Sequence, residues 1–147
     1  MMEEIIKEKI SADHLLYVSL KYTKTCDVIM NLIHRWTIMI EMSMDSMLYR
    51  AKKKKMIKIL PTNPVGKIKA MRKLFKKHEE VMQTIDFYET FRKIHELRCE
   101  REGDFRKNVN LRVFYKDEEI NINMDQLKIY GETLERFISY VKQFLSS

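Results

Sequence analysis

Side chains capable of acid–base or metal chemistry are few and scattered in this sequence. They are His14, His34, His78 and His95, with the two cysteines Cys26 and Cys99. No two histidines share the HExxH spacing that sets two imidazoles on one helix face around zinc, and the cysteines form no CxxC pair. Loops that cradle phosphate, or present a nucleophilic serine, need glycines at short intervals. With only three glycines, the chain contains no GxxxxGK[ST], GxGxxG or GxSxG. The expectation is no cofactor, no metal and no committed catalytic residue. His34, within an apolar helix, and His78, on a helix seam, read as hydrogen-bonded core or interface histidines. The cysteines read as small buried apolar residues in a reducing compartment.

Charge is the stronger signal. The 147 residues carry a net charge of +7, with 28 basic against 21 acidic side chains. Between Ser46 and His78 there are basic residues and no acidic one: Arg50, Lys52, Lys53, Lys54, Lys55, Lys58, Lys67, Lys69, Arg72, Lys73, Lys76 and Lys77. The remainder of the chain is net acidic. At 100° per residue, Lys69, Arg72, Lys73, Lys76 and Lys77 fall opposite an Ile68/Met71/Phe75 seam, beside the flexible Lys52–Lys55 run. Like charges three and four residues apart repel, so their concentration is a reason to expect a polyanion at this surface. Phosphate contacts by RNA or DNA, with counterion release, are the leading reading. A solvated basic face is the plain alternative, and an anionic membrane surface or an acidic protein partner a lesser one. Aromatics are sparse among the cations, which favours backbone contacts over base stacking.

These residues need a scaffold, and the pattern predicts a mainly α protein of one domain, residues 1–147. The expected architecture is an up-and-down bundle of four to five helices with a small β-hairpin before the last. The first helix is expected from Ser11, as N-cap, to about Tyr22. A second runs from Cys26, capped by Thr25, to about Ala51. It is apolar on most sides, as befits the middle of a bundle or a subunit interface. The stretch KKKKMIKILPT punctuates the chain, and Asn63-Pro64 reads as N-cap and first residue of a third helix. Ile68, Met71, Phe75, His78, Met82 and Ile85 give its seam. Asp86 and Glu89 suggest a capping box opening a fourth helix that ends near Gly103. Val109–Tyr115 and Ile120–Ile122 alternate around the turn Lys116–Glu119, predicting the hairpin. Asn123 and Gln126 then cap the last helix. Acidic, charged residues interrupt MMEEIIKEKI, so no secretory signal is visible, and no span of about 20 apolar residues exists. A cytoplasmic location is expected.

Several stretches together resemble the HEPN superfamily of helical domains. They are ADHLLYVSLKYTKT, the long apolar helix ending MDSMLYRAKKKK, the proline-started third helix, HELRCEREGDFRKN and MDQLKIYGETLERFISYVKQFL. The resemblance lies in topology and helix character over most of residues 11–145. It implies a homodimeric helical bundle, associated in that family with toxin–antitoxin or nucleotidyltransferase partners. Active members resemble one another as metal-independent ribonucleases with an Arg-x4-6-His motif. Here no histidine follows His95, so Arg98, Arg101 and Arg106 lack the required base. Arg72 and His78 satisfy the spacing literally, but a helix too early. The resemblance therefore implies a non-catalytic relative that binds nucleic acid. A ribonuclease using Arg72 and His78 is the alternative. A module pairing with a nucleotidyltransferase-like partner through the Met-rich stretch Met39–Met47 is a third.

Overall fold

A computed structural model describes residues 1–147. Helix α1 begins earlier than the sequence suggests. It runs Met2–His14, passes through a π-helical turn, Leu15–Ser19, and closes at Leu20–Tyr22. Ser11 lies inside it and caps nothing, because Ile5 and Ala12 already give the preceding turns a buried face. Helix α2, Cys26–Lys53, starts where Thr25 Oγ1 accepts the Val28 N–H at 3.3 Å. Helix α3 is Pro64–Leu74, with Asn63 Oδ1 accepting from Gly66 N–H at 2.7 Å and proline at the position where a missing donor costs nothing. Helix α4 is Glu79–Phe91 and helix α5 Met124–Ser146, the latter capped by Asn123 Oδ1 on Gln126 N–H at 2.8 Å.

The seam from Ile68 to Ile85 is thus two helices. The chain turns between Phe75 and His78, and Asp86 and Glu89 sit within α4 rather than opening a new helix. The spacing of three and four does not carry across the break: Ile68, Met71 and Phe75 face the core from α3 and Val81 and Ile85 from α4, while His78 and Met82 of the expected seam are only partly buried.

Contacts along the helices fix their directions. Glu8 pairs with Arg35 and Lys9 with Glu135, so α1 lies beside both α2 and α5. Tyr88 donates to Glu41 at 2.9 Å while Phe91 stacks on Trp36, which sets α4 antiparallel to α2. Phe91 against Tyr130 and His78 against Tyr140 set α4 antiparallel to α5 as well. Helix α2 occupies the centre: Ile29, Leu32, Ile33, Trp36, Met39, Ile40, Met44, Met47 and Leu48 are all buried. Burying each such side chain is worth about 1.5–3 kcal/mol. Met39, Met44 and Met47 are therefore core packing, which removes the feature on which a partner-docking role was expected.

The β element is larger than a hairpin. Strands β1 (Cys99–Glu102), β2 (Asn110–Tyr115) and β3 (Glu118–Asn123) form an antiparallel meander in the order β1-β2-β3. Leu111, Val113 and Ile122 turn one face into the core with Val109. On the other face Arg112 reaches Glu102 at 2.6 Å, Glu119 at 3.4 Å and Glu100 at 3.7 Å. That cross-strand cluster accounts for a strand where CERE reads locally as helix. The β2–β3 turn is two residues, Lys116 and Asp117, both at positive φ, as a type I′ hairpin requires. The sheet is tied to the start of α2. Asp104 Oδ1 accepts the Cys26 N–H at 2.9 Å, the Lys24 carbonyl accepts from Phe105 N–H at 2.6 Å, and Arg101 pairs with Asp27 at 2.7 Å.

Candidate functional site

The cations of residues 50–77 do not share one environment. Three are engaged. Arg72 turns towards α4 and bridges Asp86 at 2.9 Å and Glu89 at 2.5 Å. Burial opposes the charge of Arg72, but hydrogen bonds to Glu89 and Asp86 outweigh it and hold the guanidinium firmly protonated. Lys67 pairs with Asp45 at 2.8 Å, and Arg50 donates to the Ser147 carbonyl. Arg72 is thus drawn off the lysine face it shares on a helical wheel, a displacement that only the position of α4 reveals.

Eight others, Lys52, Lys53, Lys55, Lys58, Lys69, Lys73, Lys76 and Lys77, are exposed and form no ion pair. Lys54 is also exposed, with Nζ donating to Ser147 Oγ at 2.6 Å. Two of the segments that carry these lysines, the end of α2 and the α3–α4 turn, meet on the last turns of α5. Lys54 Nζ lies 5.3 Å from the Phe144 ring, Phe144 contacts Phe75 at 5.1 Å, and Tyr140 contacts His78 at 4.3 Å. The end of α2 and the α3–α4 turn bearing Lys76 and Lys77 therefore lie at the same end of the bundle. Part of this charge answers a local need, since cations in the last turns of α2 and α3 stabilise the negative ends of the helix dipoles. Lys55, Lys58, Lys76 and Lys77 lie beyond those helices and are not accounted for that way.

Arg72 and His78 are not assembled into a pair. The Arg72 guanidinium is held by α4, whereas the half-exposed His78 stacks on Tyr140 with Nδ1 3.7 Å from Glu80. Burial, followed by the charge of Glu80, raises the Tyr140 phenol, so it stays protonated at neutral pH. Contrary to expectation, His34 is exposed and not a core residue. Its ring stands 6.5 Å from that of His95. It also shares an open cleft of about 600 Å³ with His14, Asn31 and Arg35. The π-turn brings Ser19 Oγ within 3.5 Å of His14 Nδ1, a meeting of residues five apart that a regular α-helix does not make. No signal in the sequence marks this gathering, because the three histidines come from α1, α2 and the chain after α4. No group of three or more histidine, cysteine or acidic side chains has the geometry to hold a metal ion. The cysteines are free, and burial pushes the Cys26 thiol up to about 11. No helix is long and apolar enough to cross a membrane.

Compared with family models, curated proteins and solved structures, the chain matches none of them.

Proposed function

We propose that the chain is a non-catalytic, HEPN-like helical module that binds nucleic acid through the lysines at one end of its bundle. The observation that carries this reading is the set of eight exposed lysines without carboxylate partners, of which those at the end of α2 and in the α3–α4 turn are drawn to the end of α5. Such a surface releases condensed counterions when phosphates replace them, which gives affinity without sequence choice. Lys52–Lys55 and Lys69, Lys73, Lys76 and Lys77 make the contacts, while Arg72 contributes to the fold. The test is fluorescence anisotropy with a labelled RNA or DNA duplex. Replacing Lys52–Lys55, or Lys73 with Lys76, by Gln lowers affinity equally for unrelated sequences. Binding that ignores both changes rejects the reading.

The ribonuclease alternative is disfavoured by the separate engagements of Arg72 and His78 described above. Homodimer formation keeps an independent argument. Ile10, Tyr17, Val18 and Tyr22 leave α1 with 63, 57, 42 and 78% of their surfaces exposed, a concentration of large apolar side chains suited to a second copy. Light scattering on the purified chain tests it, with Tyr17→Ser and Tyr22→Ser expected to shift a dimer to monomer.

A further inference from the structure

At the basic end, α1, α2 and α5 enclose a groove of about 310 Å³. Tyr49, Arg50 and Lys53 line it from α2, Lys142 and Leu145 from α5, and Met2 from α1. Its lining includes no acidic side chain. The composition is divided: Met2, Leu145 and the Tyr49 ring offer an apolar bed, and Arg50, Lys53 and Lys142 a cationic rim. Tyr49 is 43% exposed, with Lys53 Nζ 4.8 Å from its ring centroid. Arg50 donates one guanidinium nitrogen to the Ser147 carbonyl, while its buried Nε has no acceptor. A buried donor without a partner costs stability, and a swing of the guanidinium onto a bound anion gives it one. The volume is at the lower end of small-ligand sites, which run from about 300 to 1,000 Å³.

From these features we infer that the groove binds a small amphiphilic anion, an apolar body of a few carbons or one ring bearing a single anionic head. The body lies on Leu145, Met2 and Tyr49, and the head faces Arg50, Lys53 and Lys142. Unbranched methionine beside leucine suits a flexible aliphatic body better than a rigid one. The groove shares Lys53 with the lysine set proposed for nucleic acid, but the inference rests on Tyr49, Arg50 and Lys142, which lie outside that set, and is tested through them.

Calorimetric titration of the full chain with sodium octanoate, adenosine monophosphate and inorganic phosphate tests it. Octanoate is expected to bind saturably with one site per chain, adenosine monophosphate more weakly, and phosphate at least tenfold more weakly than octanoate. Tyr49→Ala and Lys142→Gln, both at exposed positions, are each expected to weaken octanoate binding about tenfold. Lys73→Gln with Lys76→Gln leaves it unchanged. Tighter binding of the nucleotide than of octanoate contradicts an apolar, flexible body and overturns the inference. Absence of saturable binding by both organic anions overturns the inference. So does phosphate binding as tightly as either, or indifference to both groove substitutions. Loss of octanoate binding with nucleic-acid binding intact removes only the groove, and the converse removes only the polyanion surface.

Discussion

The rings of Phe75 and Phe144 meet edge to face with centroids 5.1 Å apart. Phe75 closes α3 just before Lys76 and Lys77, and Phe144 lies under Lys54, so this one contact draws two basic segments to the same end of the molecule. Both rings are buried, and the arrangement depends on a packed core rather than on the lysines themselves. Phe144→Ala is accordingly expected to destabilise the chain by about 3–5 kcal/mol, measured by urea unfolding. Any fragment that still folds is expected to bind polyanions less tightly because the α3–α4 turn has lost its seat.

Arg72 and Lys73 are neighbours with opposite predicted behaviour. Arg72→Gln removes two ion pairs to α4 and is expected to lower stability by about 1 kcal/mol, with little change in duplex affinity. Lys73→Gln is expected to weaken duplex binding and leave the unfolding midpoint unchanged. Parallel denaturation and anisotropy on both variants separate the roles, and a larger affinity loss from Arg72→Gln contradicts the assignment.

Asp104 serves the start of α2 from a distant loop. Asp104→Ala leaves the Cys26 N–H without its acceptor and loosens the sheet from the bundle. A loss of about 1 kcal/mol is expected, the usual cost of an N-terminal cap. Hydrogen exchange at Cys26 and Ile29 would quicken ahead of exchange at the middle of α2.

The Cys26 thiol, displaced from 9.0 to about 11 chiefly by burial, is held neutral in the fold. At pH 8 it is almost wholly the neutral thiol, so alkylation at Cys26 is slow there and accelerates as pH rises towards 11. The sign for stability follows. The unfolded thiol ionises near 9 and the folded one near 11, so the unfolded state holds fewer protons in that window and stability falls as pH rises through it. Cys26→Ser is expected to flatten that part of the stability profile. An unchanged slope contradicts the burial argument.

Helix caps are legible where a side chain bonds the first turn of its own helix, and not at Ser11 or Asp86, which lie inside helices that begin earlier. Thr25, Asn63-Pro64 and Asn123 each start the helix their side chains suggest, since capping is a local hydrogen bond. The alternation of Val109–Tyr115 likewise found its hairpin. What the sequence hid depends on non-local partners. Cys99–Glu102 becomes a strand through Arg112, and at the α3–α4 break the core-facing register shifts from the expected His78 and Met82 to Val81. At the candidate site, the run Lys52–Lys55 was plain from composition. The withdrawal of Arg72 depends on Asp86 and Glu89, and the gathering of His14, His34 and His95 depends on three separate segments. Tyr49 stood out in neither charge nor spacing, because Lys142 and Leu145, which complete its groove, are contributed by α5.

The salt dependence of duplex binding reads the central claim most directly, because its slope reports the number of phosphates neutralised. The logarithm of affinity is expected to fall linearly with the logarithm of salt concentration, and Lys73→Gln with Lys76→Gln to reduce the slope by about two. Lys21→Gln with Lys128→Gln, away from the basic end, is expected to leave it unchanged. A slope near zero for the native chain, or an equal reduction by both pairs, contradicts a polyanion surface at the end of this bundle.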